Sequence, residues 1–348
     1  MTPEMLSRKY LSKRLDGCVG LLLHSCKLTH TQTNFNLMKK LLLATAILAG
    51  TNLTAHADNF GTGANQFTID FTRIGNPGNA ADTTGYGSVG YAYRIGTYEI
   101  SQDHINKATA SGLAHVTAGG WSGDMPAANM SWYESAAFVN WLNTSKGFTS
   151  AYNLTWSGST WNMALWTVTN AGYDPNNEYR NSLAKYFLPS ENEFYKAAFG
   201  KSDGSGYNLY PTVSNTAPTP VTSGTASGTA VYNQGWIPPG PASVYQAGGR
   251  SSYGTMGQGG NIQEWQESSS DGTNNNTGDQ RMVRGGYWFG GSSDALDSST
   301  RSSYGPSTDI VNLGFRVASV DVIPEPSTYA LSGLGALALV VTRRRKIA

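Results

Sequence analysis

GQGGNIQEW (257–265) sets three glycines before a glutamate and a tryptophan, and two later stretches share its grain: RMVRGGYW (281–288) and NLGFRVAS (312–319). Each joins an aromatic ring to glycine, and the later two add arginine. That mixture suits a loop-rich interior in which buried rings supply the packing and guanidinium groups tie loops together. Trp265, Arg284, Trp288, Phe315 and Arg316 are therefore expected to be structural.

Upstream, ANQFTIDFTRIG (64–75) and YAYRIGTYEIS (91–101) alternate apolar and polar residues, the period of half-buried strands. SWYESAAFVNWLN (131–143) opens on Ser131 and Glu134, a capping box, and then sets Ala137, Phe138, Trp141 and Leu142 on one helical face. LPSENEFYKAAF (188–199) repeats the device: Ser190 caps, Glu193 closes the box, and Phe194, Ala197 and Ala198 face inward. Residues 200–228, rich in Gly, Thr, Pro and Ser, read as an irregular surface loop. Few helices, short strands and long loops predict an α+β fold, as one domain over 59–320.

The composition narrows the function. Of 348 residues only 14% are charged, 41 are glycine and 11% are aromatic, too aromatic for a disordered chain. From Asp58 to Pro326 there are thirteen Lys and Arg against twenty-one Asp and Glu, a net of −8. A nucleic-acid partner does not fit that mildly acidic stretch. Both cysteines, Cys18 and Cys26, precede the domain, so no disulfide, thiolate nucleophile or cysteine-held metal belongs to it.

Both ends read as addresses. From Met38, Lys39 and Lys40 precede a short apolar run and the small-x-small triplet Ala55-His56-Ala57. That order is a secretory signal peptide over 38–57, too short to span a bilayer, for signal peptidase to cut before Asp58. Residues 1–37 suit no signal and read as an over-extended start. At the other end, Pro324, Glu325 and Pro326 precede a largely apolar stretch of marginal spanning length, then Arg343, Arg344, Arg345 and Lys346. A tail anchor is the plain reading. The order of the three parts over 323–348 also resembles the bacterial PEP-CTERM sorting signal. That resemblance implies transient membrane insertion, processing by an exosortase, and a place at the cell surface or in the extracellular matrix.

Six segments in order, YRIGTYEISQDHI, PAANMSWYESAAFVNWL, YFLPSENEFYKAAF, GQGGNIQEW, RMVRGGYW and NLGFRVAS, resemble the formylglycine-generating enzyme (sulfatase-modifying factor) family, a variant of the C-type lectin fold. The family's oxidases hold copper on two cysteines. By the resemblance these positions fall on Ser293 and Ser298, and Arg301 takes the place of a family arginine. Hydroxyls are poor ligands for copper(I), a soft cation. Formylglycine generation is therefore not expected, and copper is not an expected cofactor. The resemblance also implies a calcium site built from the backbone of Gly260 and Ile262 and the carboxylate of Glu264, oxygen donors that suit a hard cation. The upstream Asn or Asp position of that site falls on Gly257, and Gln263 replaces a family tryptophan. The plainer reading of Glu264 is an ion pair with a core arginine.

Asp294, Asp297 and Arg301 cluster in sequence as a candidate pocket in which two carboxylates serve as acid and base. His104 and His115 stand in no metal-ligand spacing and read as surface histidines. The expected function is a non-catalytic, exported binding or display module for an extracellular glycan or peptide. The alternatives are an enzyme with altered oxidase or hydrolase chemistry in the same pocket, and a purely structural matrix component.

Overall fold

Phe67, Ile69, Phe71 and Ile74 are buried along β2 (Phe67–Ile74), and the residues between them face outward, as the alternation predicts. β1 (His56–Phe60) zips onto it antiparallel, from His56 opposite Phe71 to Phe60 opposite Phe67. β3 (Tyr93–Gly96) lies on its other side and is buried throughout. The computed structural model describes residues 56–289 and 291–321. Residues 1–37, most of the signal peptide and the sorting tail at 323–348 lie outside them.

Among the described residues there are three α-helices and thirteen short strands, an α+β architecture. The five-stranded sheet continues from β3 through β13 (Ala318–Val320) to β6 (Tyr186–Phe187), all antiparallel. A four-stranded sheet runs β11 (Ser302–Tyr304), β10 (Arg281–Arg284), β9 (Gln263–Ser269) and β12 (Leu313–Phe315), with β12 parallel to β9. Two residues, Arg316 and Val317, separate β12 from β13, so one short segment passes from one sheet to the other.

Two helices begin at the caps expected at Ser131 and Ser190, and a third begins after Ser101, where none was expected. α1 (Gln102–Ala110), α2 (Trp132–Thr144) and α3 (Glu191–Phe199) start after Ser101, Ser131 and Ser190, each with a complete capping box. Their buried faces are broader than a single stripe. In α2, Trp132, Ser135, Ala136, Val139 and Asn143 are buried beside Ala137, Phe138 and Leu142, while Trp141 is half-exposed. In α3 even Glu191, Glu193 and Lys196 are buried. Packing on several sides overrides the two-sided pattern. Reciprocal tryptophans lock α2 to the second sheet: Trp132 Nε1 donates to the Gln266 carbonyl at 2.9 Å, and Trp265 Nε1 to the Met130 carbonyl at 2.7 Å. The 200–228 stretch is irregular, yet it is not all surface, since Tyr210 and Thr212 are buried beneath it.

His104 corrects its reading as a surface residue. It is buried, and its Nδ1 accepts the Ser101 amide at 3.2 Å, closing the α1 capping box. Burial lowers its pKa to about 4. The neutral ring is what folds, so its stabilising contribution is complete above the ordinary value near 6.5 and lost as pH falls toward 4. Parent and His104→Gln stabilities, measured by urea unfolding, are expected to converge or cross by about 3 kcal/mol over that window.

Asp58, the first residue after the expected cleavage, lies in β1 and is clamped by Arg94 and by the Tyr186 hydroxyl, each at 2.7 Å. Burial pushes its carboxyl up, but the hydrogen bonds from Arg94 and Tyr186 hold it below its usual value. Cleavage after Ala57 removes only the two pairs to Phe71 and Asp70 and keeps this clamp. N-terminal sequencing of the exported protein is expected to begin at Asp58; a start that retains residues 1–37 would contradict it.

Candidate functional site

The two positions aligned with the oxidase cysteines lie on one glycine- and serine-rich loop. Ser293 opens a short 3-10 turn (Ser293–Leu296) and is half-buried, whereas Ser298 is buried just after it. Arg284, at the end of β10, holds this loop: its Nη1 donates to the Ser298 and Thr300 carbonyls, and its Nη2 to Ser298 again, at 3.0–3.1 Å. Its Nε pairs with Glu191 at 2.6 Å. The frame is thus built by one arginine between β10, α3 and the loop. The donor set it presents, two hydroxyls, does not fit copper(I).

Asp294, Asp297 and Arg301 do not form the expected pocket. Asp297 turns back to cap the loop, accepting from the amides of Ser299 and Thr300 at 2.8 and 2.9 Å. Asp294 is exposed. Arg301 leans away, its Nε 3.5 Å from Glu191 and its guanidinium 4.2 Å above the Tyr86 ring. Among the described residues no ion pair joins Arg301 to either aspartate. Local turn chemistry has claimed the carboxylate that the acid–base reading needed.

The carboxylate of the expected calcium site is engaged elsewhere. Glu264 is fully buried on β9, and both its oxygens meet Arg316 at 2.6 Å in a two-pronged ion pair. Arg316 also donates to the Gly96 and Met256 carbonyls. Gly260 donates its amide to Gly285, and its backbone, at φ +88°, passes so near the Val231 carbonyl that a Cβ would sit 2.3 Å from it. This carboxylate already has its counter-charge, so these residues do not fit a calcium ion. Chelation with EDTA is accordingly expected to leave the melting temperature unchanged.

Beside this pair lies a carboxyl the sequence reading missed. Glu99 is buried, and its Oε2 accepts from Asn261 Nδ2 at 2.6 Å. Gly257, at φ +76°, makes the space, since a Cβ there would come within 3.0 Å of the Glu99 carboxyl. Burial, reinforced by the charge of Glu264, raises the Glu99 carboxyl well above the usual carboxylate range.

Two clefts stand apart from the serine loop. One, of about 270 Å³, is lined by Asn79, Tyr207 and Tyr253 and reaches Lys196. The lysine Nζ donates to the Asn76 carbonyl at 2.7 Å, and burial lowers its pKa to about 8. The other, of about 470 Å³, lies between the start of α2 and a two-stranded hairpin, β4 (Asn153–Trp156) and β5 (Trp161–Ala164). Trp156 and Trp161 face each other across that hairpin, their rings 5.4 Å apart. His115 stacks on Trp156 at 4.5 Å with the ring planes 4° apart. The signal for this cleft was present in WSGSTW (156–161), two tryptophans flanking a four-residue polar turn.

Comparison with known proteins agrees with the fold. The family model described as "Sulfatase-modifying factor enzyme 1-like domain" matches residues 52–320, and the PEP-CTERM protein-sorting motif matches residues 322–346. No curated protein sequence matches the chain. Among solved structures, Treponema denticola variable protein 1 is similar at 20% identity and a TM-score of 0.51, over 77% of this chain and 100% of that one. The crystal structure of CarF is similar at 17% identity and a TM-score of 0.50, over 73% of this chain and 98% of the other. At such identities the likeness shows the fold.

Proposed function

Because the chain belongs to the sulfatase-modifying factor enzyme family and carries a PEP-CTERM sorting motif behind its domain, we propose that it is an exported surface protein whose domain binds an extracellular glycan or peptide without catalysis. The motif indicates export, sorting by an exosortase and a location at the cell surface or outside the cell. Among the described residues no helix is long and apolar enough to cross a membrane. The observation that carries the non-catalytic reading is the serine loop. Arg284, Glu191 and Arg301 are tied together beside that loop, but by the resemblance Ser293 and Ser298 take the positions of the oxidase thiolates, and no cysteine follows Cys26. A hydrolase in the same place is not favoured, since Asp297 is held by its own turn and Asp294 lies exposed to solvent.

The test uses the full chain in two assays. Copper(I) competition against a chelator and incubation with a cysteine-containing sulfatase peptide are expected to show neither tight binding nor oxidation. Saturable retention on polysaccharide or protein from the producing cell surface separates a binding module from a purely structural component. Tight copper(I) binding, peptide oxidation or unsaturable retention would overturn the reading.

A further inference from the structure

We propose that the cleft between the β4–β5 hairpin and the start of α2 binds a pyranose unit of an extracellular glycan, with Trp156 and Trp161 as its apolar walls and His115 as the residue that sets their position. This rests on the binding-module reading and names the site and ligand class for it.

The hairpin belongs to neither main sheet, yet it carries two tryptophans that remain half-exposed at a cleft. Rings left at a cleft mouth are poorly used for folding and well suited to the C–H face of a sugar. His115 adds a second, independent sign. It is an exposed non-glycine residue at φ +59°, a conformation that L-residues rarely adopt. It is held there by its stack on Trp156 and by Trp161 Nε1, which donates to its carbonyl at 2.9 Å. Strain kept by the very rings that line a cleft points to use of the cleft.

The polar part of the wall selects the ligand. Thr117, Tyr133, Ser159 and Ser307 bring hydroxyls that hydrogen-bond no other described side chain, so they remain open to a polyol. Glu134 is the one acidic side chain lining the cleft, and its charge is already engaged. Its Oε2 accepts from the Ser131 amide and hydroxyl at 2.9 and 2.8 Å, and its Oε1 from the Thr117 amide at 3.4 Å. A quaternary ammonium has no N–H or lone pair for these hydroxyls to meet, whereas a sugar offers them both donors and acceptors. The size also fits, since about 470 Å³ lies within the range of small-molecule clefts.

The experiment titrates the full chain with methyl glycosides and disaccharides of glucose, galactose and N-acetylglucosamine, and with choline, reading tryptophan fluorescence. At least one sugar is expected to bind saturably, and Trp156→Ala to weaken it by about tenfold or more. His115→Gly is the safeguard against a folding artefact. Glycine accepts the positive φ, so its melting temperature is expected to equal or exceed the parent's while sugar binding falls. Choline binding without sugar binding, or no response across the panel, overturns the proposal. If the parent is retained by cell-surface polysaccharide and both variants are retained equally, this cleft is excluded while the binding-module reading stands.

Discussion

Arg316→Met is expected to destabilise the domain by about 4 kcal/mol, because it strands the fully buried carboxylate of Glu264 without its counter-charge. The loss also frees the Gly96 and Met256 carbonyls that Arg316 now satisfies. Against the 5–15 kcal/mol typical of whole domains, about 4 is enough to leave the variant partly unfolded at growth temperature. Urea unfolding measures it. The deficit should shrink as pH falls, since a protonated Glu264 needs no partner. Adding Glu264→Gln to Arg316→Met should recover part of the loss. A cost below about 1 kcal/mol at pH 7 would show that the pair is not the clamp described here.

Arg284→Met carries the second large effect, about 3 kcal/mol, with a local signature that the first lacks. Among the described residues, Arg284 is the only side chain that ties β10 to both Glu191 and the backbone of the serine loop at Ser298 and Thr300. Without it Glu191 keeps only Arg301, at 3.5 Å. Amide exchange in residues 292–300 should therefore accelerate more than in β9. Arg284→Lys should restore the charge but not the loop, because an ammonium cannot span a carboxylate and two carbonyls in one plane. Uniform acceleration across both regions would mean a global loss of stability instead.

Much of the scaffold could be read from short-range chemistry. Ser131 with Glu134, and Ser190 with Glu193, mark helix starts because a cap is completed within four residues. The alternation of β2 is equally local. The identity of the ion pairs was not legible: Glu264 meets Arg316 across 52 residues, and Glu191 meets Arg284 across 93. Such partners are chosen by topology, including a parallel β9–β12 pairing that no local pattern announces. His104 was misread because its role in the α1 cap depends on a ring nitrogen standing where a glutamate usually does. The acid–base pocket failed for a similar reason: Asp297 accepts from the amides of its own turn.

The passage of one segment from β12 to β13 has a consequence for when the domain can close. β13 sits inside the five-stranded sheet, between β3 and the edge strand β6, and pairs Ala318 with Ile95 from more than two hundred residues earlier. β12 closes the edge of the other sheet only a few residues before. Neither sheet can finish until nearly all of the domain has left the ribosome, and pairings so distant in sequence form slowly. A chain cut before β12 is therefore expected to complete neither sheet, and closure of both waits on the residues just ahead of the sorting motif at 322–346.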